Sequence, residues 1–238
     1  MYKRQNLAAA GTVTAVTDRT LRGLAFNSAA SYTLAGAGTL TLASGGAYGM
    51  PRVQSLQGGH TVGVAIVLED ALAVDVSGAA GTLTLAGSVT GGKALTKTGA
   101  GTLALSADNM LGAVTVSEGT LLQAGGASVF DALAVGAGSV YSLYAESLTL
   151  TNGLAVVSGG AFNFQSYGAG TLYLRRGAAG GAVDTAAEFW AAVAAGLITV
   201  KGEAVTDTSV LILKEEEVGG VWFVSVTLKS FGTLMEFR

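Results

Sequence analysis

The chain of 238 residues contains no cysteine, which excludes a disulfide framework, a thiolate metal site and a cysteine nucleophile. A single histidine, His60, leaves no His–His pair for a metal and no spare base for a Ser-His-Asp arrangement. Charged residues make up only 12%, with 13 Lys and Arg against 16 Asp and Glu. They form no basic stripe of the kind that neutralises phosphates, which argues against a nucleic-acid partner. The most apolar stretch, Phe189 to Val200, is bounded by Glu188 and Lys201 and falls short of the ~20 residues needed to cross a bilayer, so no membrane span is expected.

What remains is half apolar, enough to offset chain entropy and exclude intrinsic disorder. Glycine is abundant at 36 residues beside a lone Pro51, and without a three-residue period it points to many tight turns rather than collagen. Met1-Tyr2-Lys3-Arg4-Gln5 reads as the in-frame translation of a sequencing adapter, so residues 1–10 are set aside as an artefactual or disordered lead.

A short unit recurs. Gly38-Thr39-Leu40-Thr41-Leu42 returns as Gly81–Leu85, Gly101-Thr102-Leu103-Ala104-Leu105, Gly119-Thr120-Leu121-Leu122 and Gly170–Leu174, with looser copies at Ser147–Leu150 and Ala161–Phe164. Apolar residues alternate with Thr, the period of two of a strand with one buried face, so Leu is expected inward and Thr outward. Copies lie about twenty residues apart, and one such strand set cannot bury its face alone, which is the logic of stacked coils. The expected fold is all-β: a right-handed parallel β-solenoid over residues 11–180, on the order of eight coils and roughly 40 Å long. An antiparallel sandwich is the alternative, but two-residue hairpin signals are scarce, with Asn152-Gly153 the one case.

Residues 181–238 break the pattern and are expected to form a capping module. Thr185-Ala186-Ala187-Glu188 fits a capping box, Phe189, Val193 and Leu197 share a helical face, and Gly196 stands where a helix should end, predicting a helix over about 185–196. Leu197–Val200, Val210–Leu213 and Val221–Leu228 read as strands, the last two joined by a charged, glycine-containing loop at 215–220.

The stretch Gly92–Ser106, containing Leu95, Thr96, Lys97, Gly99, Gly101, Thr102, Leu103 and Leu105, followed by Val114–Leu121 with Gly119, Thr120 and Leu121, resembles the autotransporter-associated β-strand repeat. Weaker similarity extends over residues 11–175. The resemblance implies an exported, extracellular or cell-surface β-helical protein, of the kind that forms passenger regions of bacterial surface proteins, in which the repeat supports secretion and folding. Here Asn109-Met110-Leu111-Gly112 stands where the family has a turn of pattern Asn-x-Tyr-x-Gly, one residue longer. Full-length members are outer-membrane associated through a barrel, which Leu197–Arg238 is too short to build. Attachment is therefore expected by another route, with further coils or domains in the full-length protein.

Candidate chemistry is thin. Between residues 23 and 174 the acids are Glu69, Asp70, Asp75, Asp108, Glu118, Asp131 and Glu146 and the bases Arg52, Lys93 and Lys97, too few for an obvious acid–base pair on a sugar, although Asp70 and Asp75 could share a face. Lys97-Thr98-Gly99 lacks the companion elements of a serine β-lactamase, and the glycine turns lack the Asp of calcium-binding repeats. No catalytic residue, metal or cofactor is assigned. The expected role is a non-catalytic stalk or adhesin-type segment. The alternative is a carbohydrate-binding or carbohydrate-active β-helix in which Tyr141, Tyr144, Tyr167 and Tyr173, if outward, stack on surface glycans of a host or neighbouring cell.

Overall fold

The alternation at Thr102–Leu105 sets the pattern: Leu103 and Leu105 have no exposed surface, while Thr102 is half-buried on the outer face. Leu103 lies in register between Leu83 and Leu121, and the row continues through Tyr141 and Phe162 to Ile198, so one inward row is a stack of apolar side chains along the coil axis. All these pairings are parallel. The computed structural model describes residues 10–46, 49–166, 170–177 and 183–229; the lead at residues 1–9 lies outside them.

Three sheets make the walls. The first, from Gly11–Thr14 to Ile198–Val200, has nine parallel strands and so marks eight turns of coil, as the repeat predicts. The second holds only Arg19–Leu21, Leu40–Leu42, Ile66–Leu68 and Val89–Thr90. The third runs in parallel from Gly23–Phe26 to Thr171–Arg175 and ends in the antiparallel pair Val221–Leu228 and Leu211–Val218. The recurring motif is not confined to one wall: Leu40–Leu42 lies in the second sheet, Thr82–Leu85, Thr102–Leu105 and Thr120–Gln123 in the first, and Thr171–Arg175 in the third.

The coil changes section at Asn109. The second sheet stops there, and the third acquires the long strands Asn109–Val116 and Ala127–Val135. Asn109, expected at a turn, instead opens a strand and is buried; its Oδ1 accepts the Val89 N–H at 3.0 Å, taking the place of a further strand at the end of the second sheet.

The helix forms as its signals require, over Ala186–Ala194. Thr185 Oγ1 accepts the Glu188 N–H, and Glu188 Oε2 accepts the Thr185 N–H at 3.1 Å, a complete capping box, with Gly196 at φ +72° just beyond the end. Phe189 and Val193 pack into the core. Two details differ from expectation. The strand after the helix, Ile198–Val200, pairs in parallel with Ala161–Phe164, so the coil resumes beyond residue 180 and the helix is inserted in its last turn. Glu215, Glu216 and Glu217 lie within the strand Leu211–Val218, and the hairpin turn is only Gly219-Gly220, where glycine supplies at both positions the positive φ of a two-residue turn whose twist matches that of the strands.

Candidate functional site

In Leu95–Thr98 the period of two puts Lys97 on the same face as Leu95, inside the solenoid. Lys97 has no exposed surface, and its residue stands in register between Val74 of the preceding coil and Val116 of the next. The aliphatic stem continues the valine row while the ammonium needs polar partners at the corner. It finds three backbone carbonyls: Nζ donates to Thr98 O at 2.8 Å, Gly99 O at 2.6 Å and Glu118 O at 3.1 Å. Burial pulls its pKa down to about 8, against the opposing pull of Asp75 and Glu118.

The corner is built for close approach. Gly99, at φ +78°, donates its N–H to Glu118 Oε2 at 3.1 Å, and a Cβ there would overlap the Val76 carbonyl and the Asp75 carboxylate. Gly119, at φ +66°, sits against the carbonyls of Gly99 and Gly101 in the coil below. Gly101 is equally pressed on Gly78. Thus the glycines let three coils meet where the ammonium binds.

A second polar knot lies one corner on. Besides accepting from Val89, Asn109 donates through Nδ2 to Ala107 O and to Ser128 Oγ at 3.1 Å, so one buried amide ties its own corner to the coils on either side. Leu95, Leu103, Leu105 and Leu121 fill the core, and Thr96, Thr102 and Thr120 face outward, as the alternation predicts. The inward lysine and the strand asparagine were not expected. For Lys97 the signal was present: it is two residues from Leu95.

The tyrosines do not gather on one face. Tyr141 is fully buried, stacked on Phe162 at 5.3 Å and edge-on to Phe130 at 6.3 Å, and its hydroxyl donates to Gln123 Oε1; it belongs to the inward Leu103 row and cannot meet a ligand. Burial drives its pKa well above the ordinary phenol value. Tyr173 faces outward but is half-buried against Phe223 at 6.4 Å, and Tyr167 lies outside the described residues. Tyr144 is 54% exposed and borders an open cleft of about 520 Å³ with Glu146, Thr171 and Thr227.

The carboxylates are spread over separate corners. Asp70 accepts the Ser44 N–H at 2.7 Å, and that bond holds its pKa below the usual value. Asp75 accepts from Ser77 Oγ at 3.0 Å. Among the described residues no three His, Asp or Glu side chains converge on a common point. His60 is buried in the first sheet, between Phe26 and Tyr32.

Residues 95–122 match the family model described as passenger-associated-transport-repeat, the stretch that contains both Lys97 and Asn109. No curated protein and no solved structure matches the chain.

Proposed function

We propose that this chain, a β-solenoid carrying a passenger-associated transport repeat, is a non-catalytic stalk segment of an exported bacterial surface protein. The observation that carries the proposal is the position of the matched repeat: residues 95–122 lie in the uninterrupted middle of the coil and contribute strands to two of its three walls. Their distinctive side chains, Lys97 and Asn109, spend their polar atoms on their own corners and on neighbouring coils. Side chains committed in this way maintain a shape. The stalk displays whatever it is joined to and resists unfolding through stacking rather than through disulfides.

The test is location. Antibodies raised against the purified chain should label intact source cells and lose their epitope when those cells are treated with external protease. Labelling that requires permeabilised cells would overturn the proposal.

A second reading rests on Tyr144. An exposed aromatic ring beside the Glu146 carboxylate and the Thr171 hydroxyl offers the stacking face and hydrogen-bonding groups that a sugar ring uses, which favours a surface glycan as ligand. A glycan array should then give hits that Tyr144→Ala abolishes. An array without hits removes this reading and leaves the stalk untouched.

A further inference from the structure

The first wall is not laced evenly. Tyr32–Ala35 and Gly59–Val62 share only two paired positions, Thr33 with Thr61 and Leu34 with Val62, whereas the junctions on either side share four. The Leu34 carbonyl accepts the Gly63 N–H at 2.7 Å, and by the alternation of a parallel strand the Tyr32 N–H points the same way, toward the third coil. There it meets a side chain in place of a strand carbonyl: His60 Nδ1 accepts it at 3.1 Å. At the other end of the ring, Nε2 donates to Gln57 O at 2.8 Å. In this wall the junction between the second and third coils is therefore completed by the chain's one histidine.

The two bonds occupy both ring nitrogens and require an imidazole with a single proton, on Nε2. A second proton sets an Nδ1–H donor against the Tyr32 N–H. The surroundings hold nothing to receive it. Phe26 and Tyr32 stack on the ring, and their faces attract a cation but accept neither of its in-plane N–H groups. Leu83 lies beside it in register on the following coil. From the third wall Ser55 faces the interior, but its buried hydroxyl has no hydrogen-bond partner and does not hold the ring. The charged residues on the strands around His60 are Arg52 and Asp75. Both alternate to the outer face, where Arg52 is exposed and Asp75 accepts from Ser77 Oγ. The remaining titratable side chain of these strands is the Tyr32 phenol itself.

We infer that this junction is an acid-sensitive seam: acid parts Tyr32–Ala35 from Gly59–Val62, because the open junction accepts on His60 a proton for which the closed one has no place. The open form binds more protons, so the closed form is favoured at high pH and loses ground as pH falls through the range in which a free imidazole takes its second proton. Later junctions of the same wall are laced by backbone groups, Thr102 N–H to Gly81 O at 2.9 Å and Ser106 N–H to Leu85 O at 3.1 Å, and stay closed. A rod built in this way yields at one defined place as its surroundings acidify.

Amide hydrogen exchange on the whole chain, followed by NMR at pH 7.5 and pH 5.5 and corrected for intrinsic rates, tests this directly. The amides of Tyr32 and Gly63, which cross the seam, should lose protection about tenfold over that span, while that of Ser106, which crosses a later junction, should change by no more than about threefold. His60→Asn offers its Oδ1 where Nδ1 stood and does not titrate, so the pH dependence at Tyr32 and Gly63 should vanish in it. If that variant fails to fold, the wild-type ring supplies the second measurement: as the single histidine it gives one pair of nitrogen signals, which must show Nε2 protonated and Nδ1 bare at pH 7.5. Protection at Tyr32 that holds to pH 5.5, an equal loss at Ser106, a pH dependence that persists in His60→Asn, or a proton on Nδ1 at pH 7.5 would each overturn the inference.

Discussion

Lys97 Nζ in one coil donates to the main-chain oxygen of Glu118 in the next, at 3.1 Å, from a side chain with no exposed surface. The two further carbonyls it holds, of Thr98 and Gly99, come from its own corner, so a single ammonium satisfies three acceptors across a coil junction. Lys97→Met keeps the apolar stem but leaves those carbonyls without their donor. The expected loss is about 1–3 kcal/mol, the desolvation penalty of buried polar groups left unpaired, read as a lower urea midpoint with an unchanged slope. A variant as stable as the wild type would mean that water replaces the ammonium freely.

The same lysine makes stability depend on pH in a defined direction. Its folded-state pKa, about 8, lies below the unfolded value of 10.5, so between these limits the unfolded chain binds a proton that the folded chain has released. The cost of burying the charge is fully present below about pH 8 and disappears as pH rises toward 10.5. The wild type should therefore gain stability relative to Lys97→Met between pH 7.5 and pH 10, other titrations cancelling in the difference. A gap that stays constant or narrows would show that the ammonium does not titrate there.

His60 supplies a third test. Its ring stacks on Phe26 at 4.6 Å and on Tyr32 at 5.7 Å, Nδ1 accepts the Tyr32 N–H at 3.1 Å, and Nε2 donates to Gln57 O at 2.8 Å. The two partners fix the tautomer, because one is a backbone donor and the other a carbonyl. His60→Leu retains bulk in the row above Leu83 but strands the Tyr32 N–H. About 1–3 kcal/mol should be lost. Hydrogen exchange should show the Tyr32 amide opening sooner, while the Leu121 amide, farther along the coil, changes much less; equal acceleration at both positions would deny the local role.

The coil itself was legible because Leu and Thr alternate at Thr82–Leu85, Thr102–Leu105 and Thr171–Arg175, and a period of two specifies a buried face wherever it occurs. It does not specify which wall, and so copies of one motif stand in three sheets. The lysine was harder to place. Charged side chains are rarely buried without partners, and the partners of Lys97 are carbonyls, which every residue has and which only the path of the neighbouring coil aims at it. Asn109 suffered the opposite error, since a residue type common in turns became an edge cap for Val89–Thr90 once the small sheet ended beside it. The direction of Tyr141 was left open because a phenol can face either way; Gln123, inward on the adjacent strand, gives its hydroxyl a buried acceptor.

The inward and outward assignment of Thr102 and Leu103 can be tested by placing the same charge on both sides of one strand. Leu103 is fully buried between Leu83 and Leu121, with apolar neighbours in the rows above and below. Leu103→Asp removes that packing and introduces a carboxylate with no donor to meet it, a combination that belongs to the tail of mutational effects above about 4 kcal/mol. Each coil is held by its neighbours, so the loss should spread along the stack and appear as insoluble or cooperatively unfolded protein. Thr102 lies in the outer row between Thr82 and Thr120, where a carboxylate remains hydrated. Thr102→Asp should shift stability by no more than about 1 kcal/mol, with the urea transition still a single step. Comparable damage from the two substitutions would mean that both faces of this wall are covered, and the solenoid would then have to be packed against something along its side.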